Sequence, residues 1–172
     1  MANCCEYQLK AVSKDVNALR RLYEIMEYKD PEWYIYRVQY AEMPDDPMPE
    51  GDGGLYSVCI YGDVAWATDR WFGDVTTTEK ADNGATYTNL VELCKKLGIA
   101  VEVWAREEGM GFQSHTVCNE KGELYCDSVD WNVEVDKGKV VGEDGGYEEF
   151  GQFVAADELY GGSPEELVKE TT

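Results

Sequence analysis

The sequence predicts an α+β fold: an antiparallel βαββαβ sheet with two helices on one face, followed by a β-rich acidic C-terminal extension. Three observations lead there. Several short stretches, above all Ile99-Ala-Val-Glu-Val-Trp-Ala-Arg, alternate apolar and polar residues with the period of two that marks a half-buried strand. Two segments, starting near Val16 and Leu90, place apolar residues at helical spacing. Glycine, proline and asparagine punctuate the junctions between them, where backbone angles closed to other residues are needed.

Taken in order, Cys4 to Val12 reads as the first strand, with Tyr7, Leu9 and Ala11 on one face. Ser13 is placed to cap the helix behind it, whose stripe is Val16, Leu19, Leu22, Tyr23 and Met26. Asp30-Pro31 ends that helix. Trp33 to Tyr40, rich in aromatic and β-branched residues, reads as one strand. Met43 to Gly54, with three prolines and the acids Asp45, Asp46, Glu50 and Asp52, reads as a long loop. Leu55 to Tyr61 is the next strand, and the Trp66/Trp71 segment is expected to lie over the sheet as a loop. Asn89, with Glu92 three residues on, caps a helix in which Leu90, Leu93, Cys94 and Leu97 face the core and Gly98 closes the end. A meander over Ile99–Ser128 follows. Trp131, Val133 and Val135 alternate with polar residues as a further strand, Lys139–Val141 as another, and Ser163-Pro164-Glu165-Glu166 starts a short helix. The order is that of the ferredoxin-like arrangement. Residues 1–130 form this domain, and 131–172 an acidic extension packed on it. The sheet face away from the helices needs a cover: the tryptophan loop, the C-terminal segment or a partner.

Composition narrows function. A chain of 172 residues with 44% hydrophobic content holds a full core without a metal or disulfide. The net charge of −20 is uneven: residues 119–172 carry 15 acids against 4 bases, and residues 42–74 carry 8 acids against Arg70 alone. Such a chain is repelled by nucleic-acid backbones and anionic membranes, so neither is an expected partner, and it is attracted to basic surfaces. Six cysteines without a C-x-x-C pair, and no apolar leader or membrane-length run, point to free thiols and a cytoplasmic protein.

Candidate chemistry is thin. His115, the one histidine, lies three residues before Cys118, with Cys126 across the next turn. Residues three apart on a strand point to opposite faces, so these three are poorly placed to hold zinc, and no cofactor is expected. Ser114 and His115 are adjacent and diverge for the same reason, which leaves no nucleophile–base pair. Carboxylate pairs (Glu107/Glu108, Asp127/Asp130, Glu148/Glu149) arise by chance among 35 acids. Tyr34, Tyr36 and Tyr40 could stack bases, but the charge opposes RNA.

Three stretches carry a family resemblance. Met1-Ala-Asn-Cys-Cys-Glu-Tyr-Gln-Leu resembles an opening M-x-N-W-C and strand, with Cys4 where tryptophan is usual. Ala65-Trp-Ala-Thr-Asp-Arg-Trp is similar to a W-G-T-K-W-type stretch, with Ala67 for glycine and Asp69-Arg70 for the lysine. Glu107-Glu-Gly-Met-Gly-Phe is similar to an E-P-G-x-x-F turn. Together they resemble the ferredoxin-like domain of Api92-like and YubB-like proteins of phages and plasmids, over about residues 1–125. The resemblance implies the fold and a mobile-element setting. It brings no catalytic residues.

These readings combine into one expectation: a non-enzymatic protein that blocks a basic host defence protein, such as a CRISPR–Cas effector nuclease, by nucleic-acid mimicry. Its contacts would be Asp45, Asp46, Glu50 and Asp52, with Asp127, Asp130, Glu134, Asp136, Glu143, Asp144, Glu148 and Glu149. The competing expectation is a metal-binding or enzymatic domain using Cys118, Cys126 and His115. The sequence leaves the oligomeric state open.

Overall fold

The computed structural model describes residues 4–35, 37–65, 68–73, 80–107, 112–130 and 152–171. Nine strands are described: β1 (Cys4–Ser13), β2 (Trp33–Tyr34), β3 (Val38–Glu42), β4 (Met48–Pro49), β5 (Tyr56–Ala65), β6 (Thr86–Tyr87), β7 (Ile99–Glu107), β8 (Phe112–Cys118) and β9 (Leu124–Asp130). Four short helices accompany them: α1 (Val16–Met26), α2 (Leu90–Leu97), α3 (Ala156–Leu159) and α4 (Pro164–Thr171).

Seven strands form one antiparallel sheet, in the order β3-β5-β1-β7-β8-β9, with β4 also paired to β5. β2 and β6 make a separate parallel pair. This corrects the expected two-helix βαββαβ ferredoxin-like fold. Three local facts produce the difference. Arg37 has φ +40°, so the aromatic stretch breaks: Trp33-Tyr34 leaves for β6 while Val38–Glu42 turns onto β5. The meander expected over Ile99–Ser128 is present, and its strands β8 and β9 extend one side of the sheet beyond the four strands of a ferredoxin-like domain. The described part of the C-terminal extension is helical rather than β-rich, and it lies on the second face. The expected strands within 131–151 lie outside the described residues.

Alternation then sorts the strands into two faces. Tyr7, Leu9 and Ala11 of β1, Val58, Ile60 and Val64 of β5, and Val101, Val103 and Ala105 of β7 pack beneath Leu19, Leu22 and Ile25 of α1 and Leu90, Leu93 and Cys94 of α2. Burying each leucine, isoleucine or valine among them is worth about 1.5–3 kcal/mol, which makes this face the main source of stability. Trp71 is fully buried here, edge-on to Tyr7 at 4.7 Å, instead of lying across the sheet as a loop cover. Trp66 lies outside the described residues.

The caps follow the sequence in one helix and not in the other. Asn89 Oδ1 accepts from Glu92 N at 2.8 Å, and Gly98 takes the left-handed conformation at φ +65°, as expected for α2. In α1 the cap is Asp15, whose carboxylate accepts from Asn17 N at 2.9 Å. Ser13 ends β1 instead, because its hydroxyl accepts from Asp15 N and donates to Gly98 O across the sheet.

Candidate partner-binding face

The opposite sheet face is made of the alternate residues of the same strands, and it is polar. Cross-strand register arranges it in rows. One row runs Tyr61–Gln8–Trp104–His115–Asp127, the next Asp63–Glu6–Arg106–Gln113, and on the other side Cys59–Lys10–Glu102–Val117.

The covered end of this face lies under the C-terminal segment. Val12, Leu55, Ala100 and Val117 pack against Val154, Ala156, Leu159, Leu167 and Val168. Beside this apolar patch sits a web of charge. Glu102 is fully buried and His115 is 1% exposed, so neither carboxylate nor imidazole has water to turn to. Glu102 Oε2 lies 2.7 Å from His115 Nε2, and its Oε1 accepts from Val154 N at 2.7 Å. Lys10 Nζ donates to Val154 O at 2.8 Å and to Glu50 Oε2 at 3.1 Å. Glu50 also accepts from Ser57 Oγ at 2.9 Å and from Ala156 N at 2.5 Å. Burial pushes the Glu50 carboxyl up, but the Lys10 ammonium, the Ala156 amide and the Ser57 hydroxyl outweigh it and hold it below its ordinary value. These side chains grip the backbone of one short segment, at Val154 and at Ala156, where α3 begins. Glu50, expected as a partner contact, is a docking residue for the chain's own C terminus.

Beyond the clasp the face opens into two shallow cavities that share Tyr61. One, of about 220 Å³, is lined by Glu6, Gln8, Tyr40, Tyr61 and Asp63 among others. The other, of about 260 Å³, is lined by Asp45, Asp46, Met48, Cys59 and Tyr61. Met48 is 62% and Tyr40 54% exposed, so both present apolar surface to solvent. Asp63 is half-buried, and burial followed by the neighbouring Glu6 charge raises its pKa. Glu6 is paired with Arg106, whose Nε lies 2.8 Å away, and Asp46 has only a loose contact with Arg20 at 3.9 Å. The other side of the molecule holds bases: Arg21, paired to Asp30 and Glu32, and Lys95 and Lys96 on α2.

The expected site residues fall apart in this frame. Asp45, Asp46 and Asp52 are exposed at the β3–β5 end of the sheet. Asp127 and Asp130 lie on β9 at its other end, with Asp127 opposite His115. Glu134, Asp136, Glu143, Asp144, Glu148 and Glu149 lie outside the described residues. The sequence reading missed Glu6 and Asp63, which only the β1–β5 register brings side by side. Cys118 packs in the helix-side core and His115 on the opposite face, as their spacing foretold, while Cys126 takes a hydrogen bond from Thr116 at 3.1 Å. No group of three His, Cys, Asp or Glu able to hold a metal occurs among the described residues. Tyr34 belongs to the small sheet and Tyr40 to the large one, so they do not share a base-stacking platform.

No protein-family model, curated protein or solved structure matches this chain. Its function must therefore be argued from the charged face itself. Among the described residues, no helix is long and apolar enough to cross a membrane.

Proposed function

We propose that this chain is a non-enzymatic acidic protein of a phage or other mobile element. It binds and inhibits a basic, nucleic-acid-binding host defence protein in an anti-CRISPR-like manner, by occupying the groove meant for nucleic acid. The observation that carries this reading is the division of charge. Glu6, Asp45, Asp46 and Asp63 line the open cavities of one sheet face with no lysine or arginine among the described lining residues, whereas on the helix side Arg21 and Lys95 are balanced by Asp30, Glu32 and Glu92. In a net charge of −20 this gives one face a field that steers basic partners toward it. The exposed Tyr40 and Met48 add apolar contact inside the acidic rim. The mobile-element setting rests on the family resemblance of residues 1–125.

The test is binding and inhibition of purified CRISPR–Cas effector nucleases over a salt series. Inhibition of DNA cleavage that fades steeply between about 50 and 300 mM salt is the expected result, since surface charge is screened over that range. Absence of binding at the lowest salt, across effectors with basic grooves, would sink the reading. Stoichiometric zinc in the purified protein would instead favour a metal-binding reading.

A further inference from the structure

We propose that Asn83 is a site of spontaneous modification: the Gly84 backbone nitrogen attacks its side-chain amide, the amide becomes a carboxylate, and a clip that joins the 81–85 turn to the end of α1 is released. Neither residue lines the cavities of the acidic face, so this inference stands apart from the partner proposed above.

The sequence singles out the position. Of six asparagines, only Asn83 is followed by glycine. Any other residue there would carry a side chain that shields its own nitrogen. Gly84 carries none, and it sits at φ +85° with open space where a Cβ would be. Asn83 and Gly84 are both exposed, so water reaches them.

The fold then presents the amide carbon. Residues 81–85 make a closed turn between Lys80 and Thr86, in which Ala81 N donates to Ala85 O at 2.9 Å. Within it, Ala85 N donates to Asn83 Oδ1 at 3.0 Å. That bond folds the side chain over the peptide that follows it, and a donor at Oδ1 stabilises the negative charge that collects there during attack. Gly84 N in turn donates to Ala81 O at 2.8 Å, so the turn must open locally before this nitrogen gives up its proton.

Gly84 N loses its proton to hydroxide and forms a bond to Asn83 Cγ. The Cγ–Nδ2 bond breaks, and Nδ2 takes a proton from water and leaves as ammonia. Water then adds to one carbonyl carbon or the other of the cyclic imide and opens it, to aspartate or to isoaspartate. The net change is amide and water to carboxylate and ammonium, with no oxidant or cofactor.

The consequence follows from what Nδ2 holds. It donates to Asp30 O at 3.0 Å and to Tyr28 O at 3.3 Å, in the backbone just beyond α1, where Tyr28 has a left-handed φ of +60°. An ionised carboxylate only accepts. After conversion an anion faces two carbonyl oxygens, both bonds are lost, and the turn is pushed away from α1. The bonds next to it are Thr86 N to Glu32 O and Thr88 N to Tyr34 O, which hold β6 on β2. They lose their support, while the seven-stranded sheet takes no part in the clip.

The experiment incubates the full native chain near neutral pH and in mild alkali, and maps its peptides by mass spectrometry. Conversion confined to Asn83, faster in alkali and yielding both aspartate and isoaspartate, is expected. In the converted chain, hydrogen exchange at Thr86 and Thr88 should quicken about threefold to tenfold, the weight of one lost hydrogen bond, with Leu9 and Val103 unchanged. Asn83→Asp, which carries the product from the start, should show the same exchange. A chain unfolded in guanidinium chloride is the control for reactivity. If it converts at Asn83 while the native chain does not, the fold blocks the attack and the site is lost. Conversion at Asn17, Asn89 or Asn119 as fast as at Asn83 would overturn it too. If conversion leaves Thr86 and Thr88 as protected as before, Asn83 is no clip.

Discussion

The two faces of the sheet come from alternate residues of the same strands, yet they are held by different forces. Beneath α1 and α2, contact is apolar and continuous from Val64 on β5 to Cys118 on β8. Beneath the C-terminal segment, only a small apolar patch is present, and the rest of the grip is charge and hydrogen bonding through Lys10, Glu50, Glu102 and His115. Dispersion and hydrophobic burial tolerate small shifts and do not depend on pH. A charged web fails as a unit, because removing one member leaves the others buried without partners. The first face fixes the fold. The second makes a docked segment conditional.

The largest effect should come from breaking the apolar face. Leu22→Ala removes a fully buried side chain from the α1–sheet contact and should cost about 2–5 kcal/mol of global stability, read by urea unfolding. Every probe should report the same loss, since this face belongs to the cooperative core. Glu102→Ala should cost less, about 2–3 kcal/mol, by removing the side-chain partner of the Val154 amide and of the His115 ring nitrogen. Its signature should be local. Hydrogen exchange should quicken at Val154 and Ala156 well before it quickens at Leu9 or Val103. If both regions loosen together, the two faces are one cooperative unit and the contrast is wrong.

Acid sharpens the contrast. The Glu50 carboxyl is held below its ordinary value in the folded chain, so its contribution is fully present above the unfolded carboxylate range near 4.3 and is lost as pH falls through the folded value. The Ala156 amide should therefore exchange faster in mild acid after correction for intrinsic rates. Glu50→Gln should flatten that dependence while weakening the clasp at neutral pH. Asp30, also held low against its own burial by Arg21 and by the Trp33 and Glu32 amides, adds a term of the same sign on the helix side. A global acid melt mixes the two; exchange at Ala156 separates them.

A smaller loss, about 1 kcal/mol, is expected from Asn89→Ala, which removes the α2 cap, checked by the same urea titration. That cap was also the most legible feature of the sequence. Asn89, Glu92 and Gly98 state a helix by local chemistry alone, and the alternation of Ile99–Ala105 states a strand. The strand pattern misled on its second face, though: Glu102 and Trp104 looked wet and are buried. Nothing within nine residues says that Val154, about fifty positions away, meets Glu102. The break at Arg37 was hidden for a similar reason. Trp33–Tyr40 has uniform strand propensity, and the turn comes from competition between β5 and β6 for its two halves. The site was less legible than the fold, because Glu6 and Asp63 lie fifty-seven positions apart and become neighbours only through register. Glu50, one acid among four in its loop, is set apart from Asp45, Asp46 and Asp52 by meeting Lys10, Ser57 and the Ala156 amide, which are again tertiary facts.

The smallest predicted effect is the one that joins stability to function. Asp63 is a carboxylate whose folded pKa is raised, by burial first and by Glu6 second. A raised value means that the folded state favours the protonated acid. The contribution of Asp63 is therefore favourable only below the unfolded value near 3.9 and becomes a cost as pH rises through the folded value. Asp63→Asn removes that cost and should stabilise the chain at pH 7 by about 0.5 kcal/mol, a gain kept small by solvent screening at a half-exposed site. At pH 3 the gain should vanish, because the native side chain is then neutral as well. Paired unfolding curves at the two pH values check the sign. A residue that weakens the fold at neutral pH is what an acidic recognition surface requires, since a charge already neutralised within the chain has little left to offer a partner. If Asp63→Asn is instead destabilising at pH 7, the carboxylate has an internal counter-charge, and the acidic face is internally compensated where the proposal needs it to be open.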